Sequence, residues 1–317
     1  MTGPGMQESP QIASQSIPLL RASDIVVAGG VFGMGAASWI VPMRYWRALS
    51  LTFAPLAMLV SDTGGGSVER IGTLMGDRIP DRSPRRIRLE SYAYFIEGNL
   101  QLLRMYRPGG WNPVVRVLGE EHLRAALARG KGAVLWMSWL KAYSLVAKIA
   151  LRRAGFEVSH LSHPRHGYGN TRFLIRWLNP ICTRIEDRYL RERVTLSHAS
   201  FLTAMRILKR RLHGNGIVSV TASARSESPV SAPFLAGKTE FAPGAPFLSY
   251  STGAALLPVH PVQTGPGEFA VTIDHAIDVS RDLPRDAFAV QAACKYAASL
   301  EPWVVKYPGQ WLAWQDQ

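Results

Sequence analysis

Ser138 and Lys141 stand three residues apart in Ser-Trp-Leu-Lys, the spacing at which a lysine can take the proton of a serine nucleophile. The pair would fall at the end of an apolar strand rather than at the start of a helix. The companion motifs of serine–lysine enzymes are absent, so the alternative is a strand-end serine beside a solvated lysine. A second group is SHLSHPRHGYG (159–169), which brings His160, His163 and His166 together with Arg165. Histidines at this spacing suit zinc, but Pro164 and the two glycines make a loop and no acidic ligand stands nearby, so no metal site is expected. Cys182 and Cys294 are the only cysteines and lie far apart. They give neither a disulfide framework nor a cysteine-ligated metal site, and both read as structural.

The elements that must carry these residues follow from periodicity and breaks. GAVLWMS (132–138) is a continuous apolar run, as expected for a strand buried on both faces. LKAYSLVAKIALRRAG (140–155) has helical spacing and ends in glycine. FEVSHLS (156–162), IVSVTA (217–222), AALLPVHPV (254–262) and FAVTIDH (269–275) read as further strands. Helices are expected over 86–106, 120–129, 198–212, 243–253 and 284–304. This alternation predicts an α/β fold: a mixed, mostly parallel central sheet flanked by helices.

The chain has 317 residues, 47% hydrophobic and 19% charged, enough for a sizeable core. Lysine and arginine exceed acids by 36 to 23, a formal charge of +13 that suits an anionic surface or ligand. The basic runs at 82–88 and 206–212 are not interleaved with stacking aromatics, so nucleic acid is not an expected partner. GMGAAS (33–38) lacks the strand and the acid of a dinucleotide fingerprint, and no cofactor is expected. Residues 25–43 carry no charge and are followed by Arg44, Tyr45, Trp46 and Arg47. With the apolar run 49–60 they read as a membrane-associating helical hairpin or in-plane helix; the alternative is a buried helix. Gly29, Gly33 and Ala37 offer a close helix-packing face. The predicted organisation is a disordered tail (1–22), an apolar membrane-associating helical segment (23–76) and an α/β domain (77–317).

Four stretches carry a resemblance to a known family. They are HLRAALARGKGAVLW (122–136), SAPFLAGKTEFAPGAPFLSYSTGAALLPVHPV (231–262), FAVTIDHAIDV (269–279) and YPGQWLAW (307–314). In order and spacing they resemble the lysophospholipid acyltransferase superfamily, and within it the bacterial lipid A acyltransferases that add lauroyl or myristoyl chains. The resemblance implies a groove at the carboxyl end of the sheet, walled by Trp139, Leu140, Tyr143, Phe234 and Pro258. It also implies that Arg165 lines the cleft near the acceptor and that Arg225 and Lys238 face anionic substrates. Those enzymes use a histidine followed, after four residues, by an acid: the histidine deprotonates the acceptor hydroxyl and the acid fixes its tautomer. Here Trp139 stands at the histidine and Ser144 at the acid. Indole is a donor only and serine carries no charge. No other histidine in the chain has an acid five residues on.

Two functions follow from the resemblance. One is a membrane-associated acyltransferase homologue that binds acyl chains or lipids without the usual chemistry, as a pseudoenzyme or the accessory partner of an active enzyme. The other is an active acyltransferase with a relocated base, His163 or His166, taking acyl groups from acyl carrier protein or acyl-CoA. Both imply anionic membrane lipids as partners and the cytoplasmic face of a bacterial inner membrane.

Overall fold

The computed structural model describes residues 17–61, 66–78, 83–196, 201–224, 226 and 228–315. The tail before residue 17, parts of the breaks at 61–67 and 78–86, the start of the 198–212 helix and Arg225 lie outside the described residues. A seven-stranded sheet forms the centre, in the order β1-β9-β8-β2-β5-β3-β4. The strands are β1 (Val114–Leu118), β2 (Ala133–Ser138), β3 (Val158–Ser162), β4 (Glu192–Thr195), β5 (Ile217–Ala222), β8 (Ala255–Gly265) and β9 (Glu268–Ile273). All neighbouring pairs are parallel except β8 with β9, and β6 (Val230–Phe234) and β7 (Gly237–Phe241) form a separate hairpin. The predicted mixed, mostly parallel α/β sheet is the observed one. The short strands β1 and β4 and the β6–β7 hairpin are additions to the predicted set.

β2 is hydrogen-bonded to β5 on one side and β8 on the other, and every residue of it is buried. Its alternate residues feed two cores. Val134 and Trp136 pack with Val218, Leu256 and Tyr296 under α8 (Phe201–His213), α9 (Gly244–Thr252) and α10 (Arg285–Lys306). Leu135 and Met137 pack with Leu151, Leu257 and Val259 under α5 (Glu120–Ala128) and α6 (Val146–Arg153). Gly132, at φ +69°, lets β2 start: a Cβ there would stand 2.6 Å from the Gly216 carbonyl oxygen.

The helix expected over 140–155 is split in two. A 3₁₀ turn, Lys141–Tyr143, precedes α6. The cause is tertiary, because the chain leaving β2 is tied to the C-terminal segment. Leu140 forms an antiparallel bridge with Trp311, and the Leu312 amide donates to the Trp139 carbonyl at 2.9 Å. Trp311 is buried, 5.0 Å from Phe234 and 4.4 Å from Trp314 between ring centres.

The apolar N-terminal segment folds as α1 (Ala22–Ile40) and α2 (Trp46–Ser61), followed by α3 (Gly66–Met75). Both α1 and α2 pack along α4 (Pro84–Arg104). Arg104 and Arg107 donate to the carbonyls of Ser38 and Trp39, satisfying the C-terminal end of α1. α1 is long and apolar enough to cross a membrane by length and composition. The packing face is not the one predicted, since a Cβ at Gly29 or Gly33 would meet nothing within 4 Å. Val31 is the buried contact, and the outward side chains are large: Phe32 is 71% exposed, Ile40 80% and Leu59 77%.

Two histidines are sealed in the core. His160 Nδ1 pairs with Ser219 Oγ at 2.8 Å, and His260 Nε2 with Ser299 Oγ at 2.7 Å. Burial holds both imidazoles below the ordinary histidine range, His160 furthest.

Two expectations follow for stability. Trp311→Ala removes the buried indole that packs on Phe234 and Trp314 and anchors the backbone clamp at Leu140, and should cost about 3–5 kcal/mol in a urea melt. A loss below about 1 kcal/mol would show that the clamp is not structural. Separately, the two buried histidines stay neutral when folded, while in the unfolded chain they protonate near pH ~6.5. Their contribution is therefore complete above that pH and is lost as pH falls below it, by up to ~1.4 kcal/mol per pH unit for each. Melting temperature measured from pH 7.5 to 5.5 should fall more steeply for the wild type than for His160→Gln/His260→Gln. Parallel profiles would refute this assignment.

Candidate functional site

Three groups of side chains stand at the carboxyl ends of β2 and β3 and at the middle of β8, and each tests a different chemistry.

The first is the turn after β2. Ser138 Oγ is buried and faces the Tyr296 hydroxyl of α10. Lys141 points elsewhere: its ammonium lies 4.8 Å from the Phe95 ring centre of α4, and its stem fills the notch left by Gly98, where a Cβ would stand 2.6 Å from Lys141 Cε. The Ser-x-x-Lys pair is thus not hydrogen-bonded in this structure. Burial pulls the Lys141 ammonium down to about 8, so its neutral form becomes available at mildly alkaline pH. Lys141 and Ser144 share a cavity of about 30 Å³ with Gln101 and Gln263, which has room for little more than water. Trp139 and Tyr143 are half-buried in the same turn. Leu140, Phe234 and Pro258 are buried in the core.

The second is a serine–histidine–aspartate cluster at the junction of β8, β9 and α10. Ser299 Oγ donates to Asp274 Oδ2 at 2.5 Å and stands 2.7 Å from His260 Nε2. Asp274 Oδ2 is also on the Nε2 side, 3.4 Å away, while Nδ1 is buried with no hydrogen-bond partner. A charge-assisted triad needs histidine between serine and acid, with one on each ring nitrogen. Here serine lies between histidine and aspartate, so the cluster closes a buried junction and cannot activate a nucleophile in this arrangement.

The third arises at the end of β3. His163 and Arg165 are exposed, and His163 Nδ1 accepts from the Arg165 amide, a local turn. His166 turns inward, and its Nε2 lies 3.0 Å from Glu186 Oε1. Glu186 sits in α7 (Asn179–Asp187), which follows a π-helical turn at Leu174–Leu178. With Nε2–H donating to the acid, Nδ1 is the basic nitrogen, and the half-buried ring keeps access to solvent. Glu186 Oε2 accepts from Lys148 Nζ at 2.6 Å and from Arg193 at 2.8 Å. Burial alone would raise the Glu186 carboxyl, but Lys148, His166 and Arg193 together hold it well below the usual carboxylate range. It is therefore a fixed anion, as a histidine-orienting acid must be.

This histidine–acid pair spans twenty positions, so no scan at fixed local spacing finds it. Its sequence signal is weak but physical. Asn179-Pro180 marks a helix start, and Cys182 and Ile185 define the buried side next to Glu186. Lys238 is exposed on β7, away from these three groups in sequence and in sheet, and Arg225 lies outside the described residues. No group of three or more histidine, cysteine or acidic side chains placed to hold a metal occurs among the described residues.

Among curated proteins none matches the chain. The sequence model of the family described as bacterial lipid A biosynthesis acyltransferase matches residues 185–317, from the last turn of α7 to the C-terminus. β2, the turn holding Trp139 and Ser144, and His166 all precede the matched residues. Over its C-terminal part, from Ile185 through β5, the β6–β7 hairpin, β8, β9 and α10, the chain is similar to the lipid A acyltransferases, which makes it an acyltransferase-like protein.

Proposed function

We propose that this protein is a membrane-associated, acyltransferase-like protein that binds acyl chains or lipids and does not use histidine-x4-acid chemistry. The observation that carries this reading is the turn after β2. It holds Trp139 and Ser144 at the positions that the resemblance assigns to the dyad, and it is tied down by Trp311 and Leu312. The cavity beside Ser144, at about 30 Å³, is far smaller than the ~300–1,000 Å³ of sites for drug-sized ligands. The apolar outer faces of α1 and α2, next to Arg44 and Arg47, support attachment to an anionic membrane. The bacterial cytoplasmic face remains part of this proposal, as does an active partner enzyme.

A second reading rests on one specific distance. His166 and Glu186, 3.0 Å apart, form a base–acid pair of the kind acyl transfer needs, and they would serve as a relocated dyad working on acyl carrier protein or acyl-CoA thioesters.

Membrane attachment is tested by flotation with phosphatidylglycerol vesicles. The full chain should float, and a full-length variant carrying Phe32→Ser, Ile40→Ser, Phe53→Ser and Leu56→Ser should stay behind. Equal recovery of both would defeat the attachment surface. The two readings are separated by a radiolabelled acyl-transfer assay with carrier-protein and coenzyme A thioesters and several lipid acceptors. A general base contributes typically ~10²–10⁴-fold, so the first reading expects turnover lower by at least that factor than in a dyad-bearing enzyme. Robust turnover that disappears in both His166→Ala and Glu186→Gln would replace the first reading by the second.

A further inference from the structure

The helical segment that carries Glu186 also carries four arginines, Arg172, Arg176, Arg184 and Arg188, all of them exposed. In a regular α-helix each residue turns the chain by about 100°. Arg176 would then stand ~40° round from Arg172, but Arg184 and Arg188 would stand at ~120° and ~160°, on another side. The π-helical turn at Leu174–Leu178 is closed by the Asn179 amide on the Leu174 carbonyl. It inserts one residue and sets everything after it back by about 100°. Arg184 and Arg188 return to ~20° and ~60°, so the four positions fall on one stripe. The buried residues of the same segment, Leu174, Leu178, Cys182, Ile185 and Glu186, take the other side. No acid neutralises the row: Glu186 is buried in its own cluster, and Asp187 is paired with Arg193. None of the four arginines has an ion pair among the described residues.

The segment is fixed to the apolar N-terminal elements in two places. The amides of Arg172 and Phe173 donate to the Pro18 and Leu19 carbonyls, at 2.9 and 3.1 Å, where the chain enters α1. The Tyr106 hydroxyl, just past α4, donates to the Ile181 carbonyl at 2.8 Å, and Arg104 and Arg107 of the same stretch hold the end of α1. Exposed apolar side chains accompany the first half of the row: Trp177, with the Arg176 guanidinium 5.6 Å from its ring centre, and Leu19 and Leu20. A soluble polyanion would leave these groups in water, whereas a bilayer interface takes aromatic and aliphatic side chains next to arginines. We propose that Arg172, Arg176, Arg184 and Arg188 form a face on which this domain docks to anionic phospholipid headgroups, with Trp177, Leu19 and Leu20 entering the interface beside them. The proposal rests on the membrane reading above and adds to the apolar α1–α2 surface a second, electrostatic contact. The π turn is the device that makes it, because without the inserted residue two of the four arginines would stand on another side of the helix.

The test is vesicle binding by the full chain at low salt, on vesicles of phosphatidylglycerol with phosphatidylcholine and on vesicles of phosphatidylcholine alone. Each basic side chain near an anionic surface is worth about fivefold in binding, so Arg172→Gln/Arg176→Gln/Arg184→Gln/Arg188→Gln should bind the anionic vesicles at least about tenfold more weakly than the wild type. Its binding to phosphatidylcholine alone and its melting temperature should match the wild type, because only exposed side chains are changed. Arginine-to-lysine substitution at the same four positions keeps the charges and should stay within about threefold of the wild type. A control that loses equal charge elsewhere, Arg129→Gln/Arg206→Gln/Lys209→Gln/Arg210→Gln, should also stay within about threefold. Near ~1 M salt the wild type and the four-glutamine variant should converge. A four-glutamine variant that loses less than about tenfold overturns the row and leaves the α1–α2 attachment standing. A control that loses as much as that variant also overturns it, since net charge alone then accounts for the effect. A wild-type chain that binds neither vesicle defeats the membrane reading and this proposal with it.

Discussion

β2 is the constraint on which the rest depends. It is paired on both edges and buried on both faces, so its six residues have almost no freedom. Whatever follows it leaves the sheet at a fixed point and in a fixed direction. The Leu140–Trp311 bridge and the Leu312–Trp139 hydrogen bond then fix the next two residues as well. A rigid strand end is what catalytic side chains require. In this chain that rigidity is applied to an indole and a small hydroxyl, neither of which can move a proton at neutral pH.

The buried charges of the domain are held elsewhere, by partners of opposite sign. Glu186 is buried among Lys148, Arg193 and His166, an arrangement costly to desolvate and tolerable only because both carboxylate oxygens are occupied. Removing Glu186 would leave the buried Lys148 ammonium without its carboxylate. The His260–Ser299–Asp274 cluster shows the opposite case. Its residue types match a hydrolytic triad, but the order of contacts does not, and order decides function.

Strong local signals were readable before any coordinates. β2 announced itself as an unbroken apolar run, α10 by its length, and the β8–β9 region by its spacing. The alternation of these pieces led to the right sheet. The split at 141–146 was hidden because its cause lies at 311–312, far along the chain. β1 and β4 were missed as short edge strands whose alternation resembles exposed loop. Glycines 29 and 33 suggested a packing face, but the buried apolar residue of that helix is Val31. At the site, His166 was named from its loop, but its acid was not, because Glu186 approaches through a helix and not through a spacing.

The pairing of β2 also dictates when the molecule can finish folding. Residues 133–138 need 217–222 on one edge and 255–259 on the other. During synthesis at ~5–20 residues per second, the second partner emerges roughly 6–24 s after β2 itself. Through that interval Ala-Val-Leu-Trp-Met-Ser has an unpaired edge, and it is apolar on both faces. The contacts among α1, α2 and α4, with the Arg107 bond to the end of α1, lie within residues 22–107 and can be in place first. The chain is therefore a slow-closing topology whose most aggregation-prone strand is also its most central, and it depends on its last residues to seal the turn that strand leaves behind.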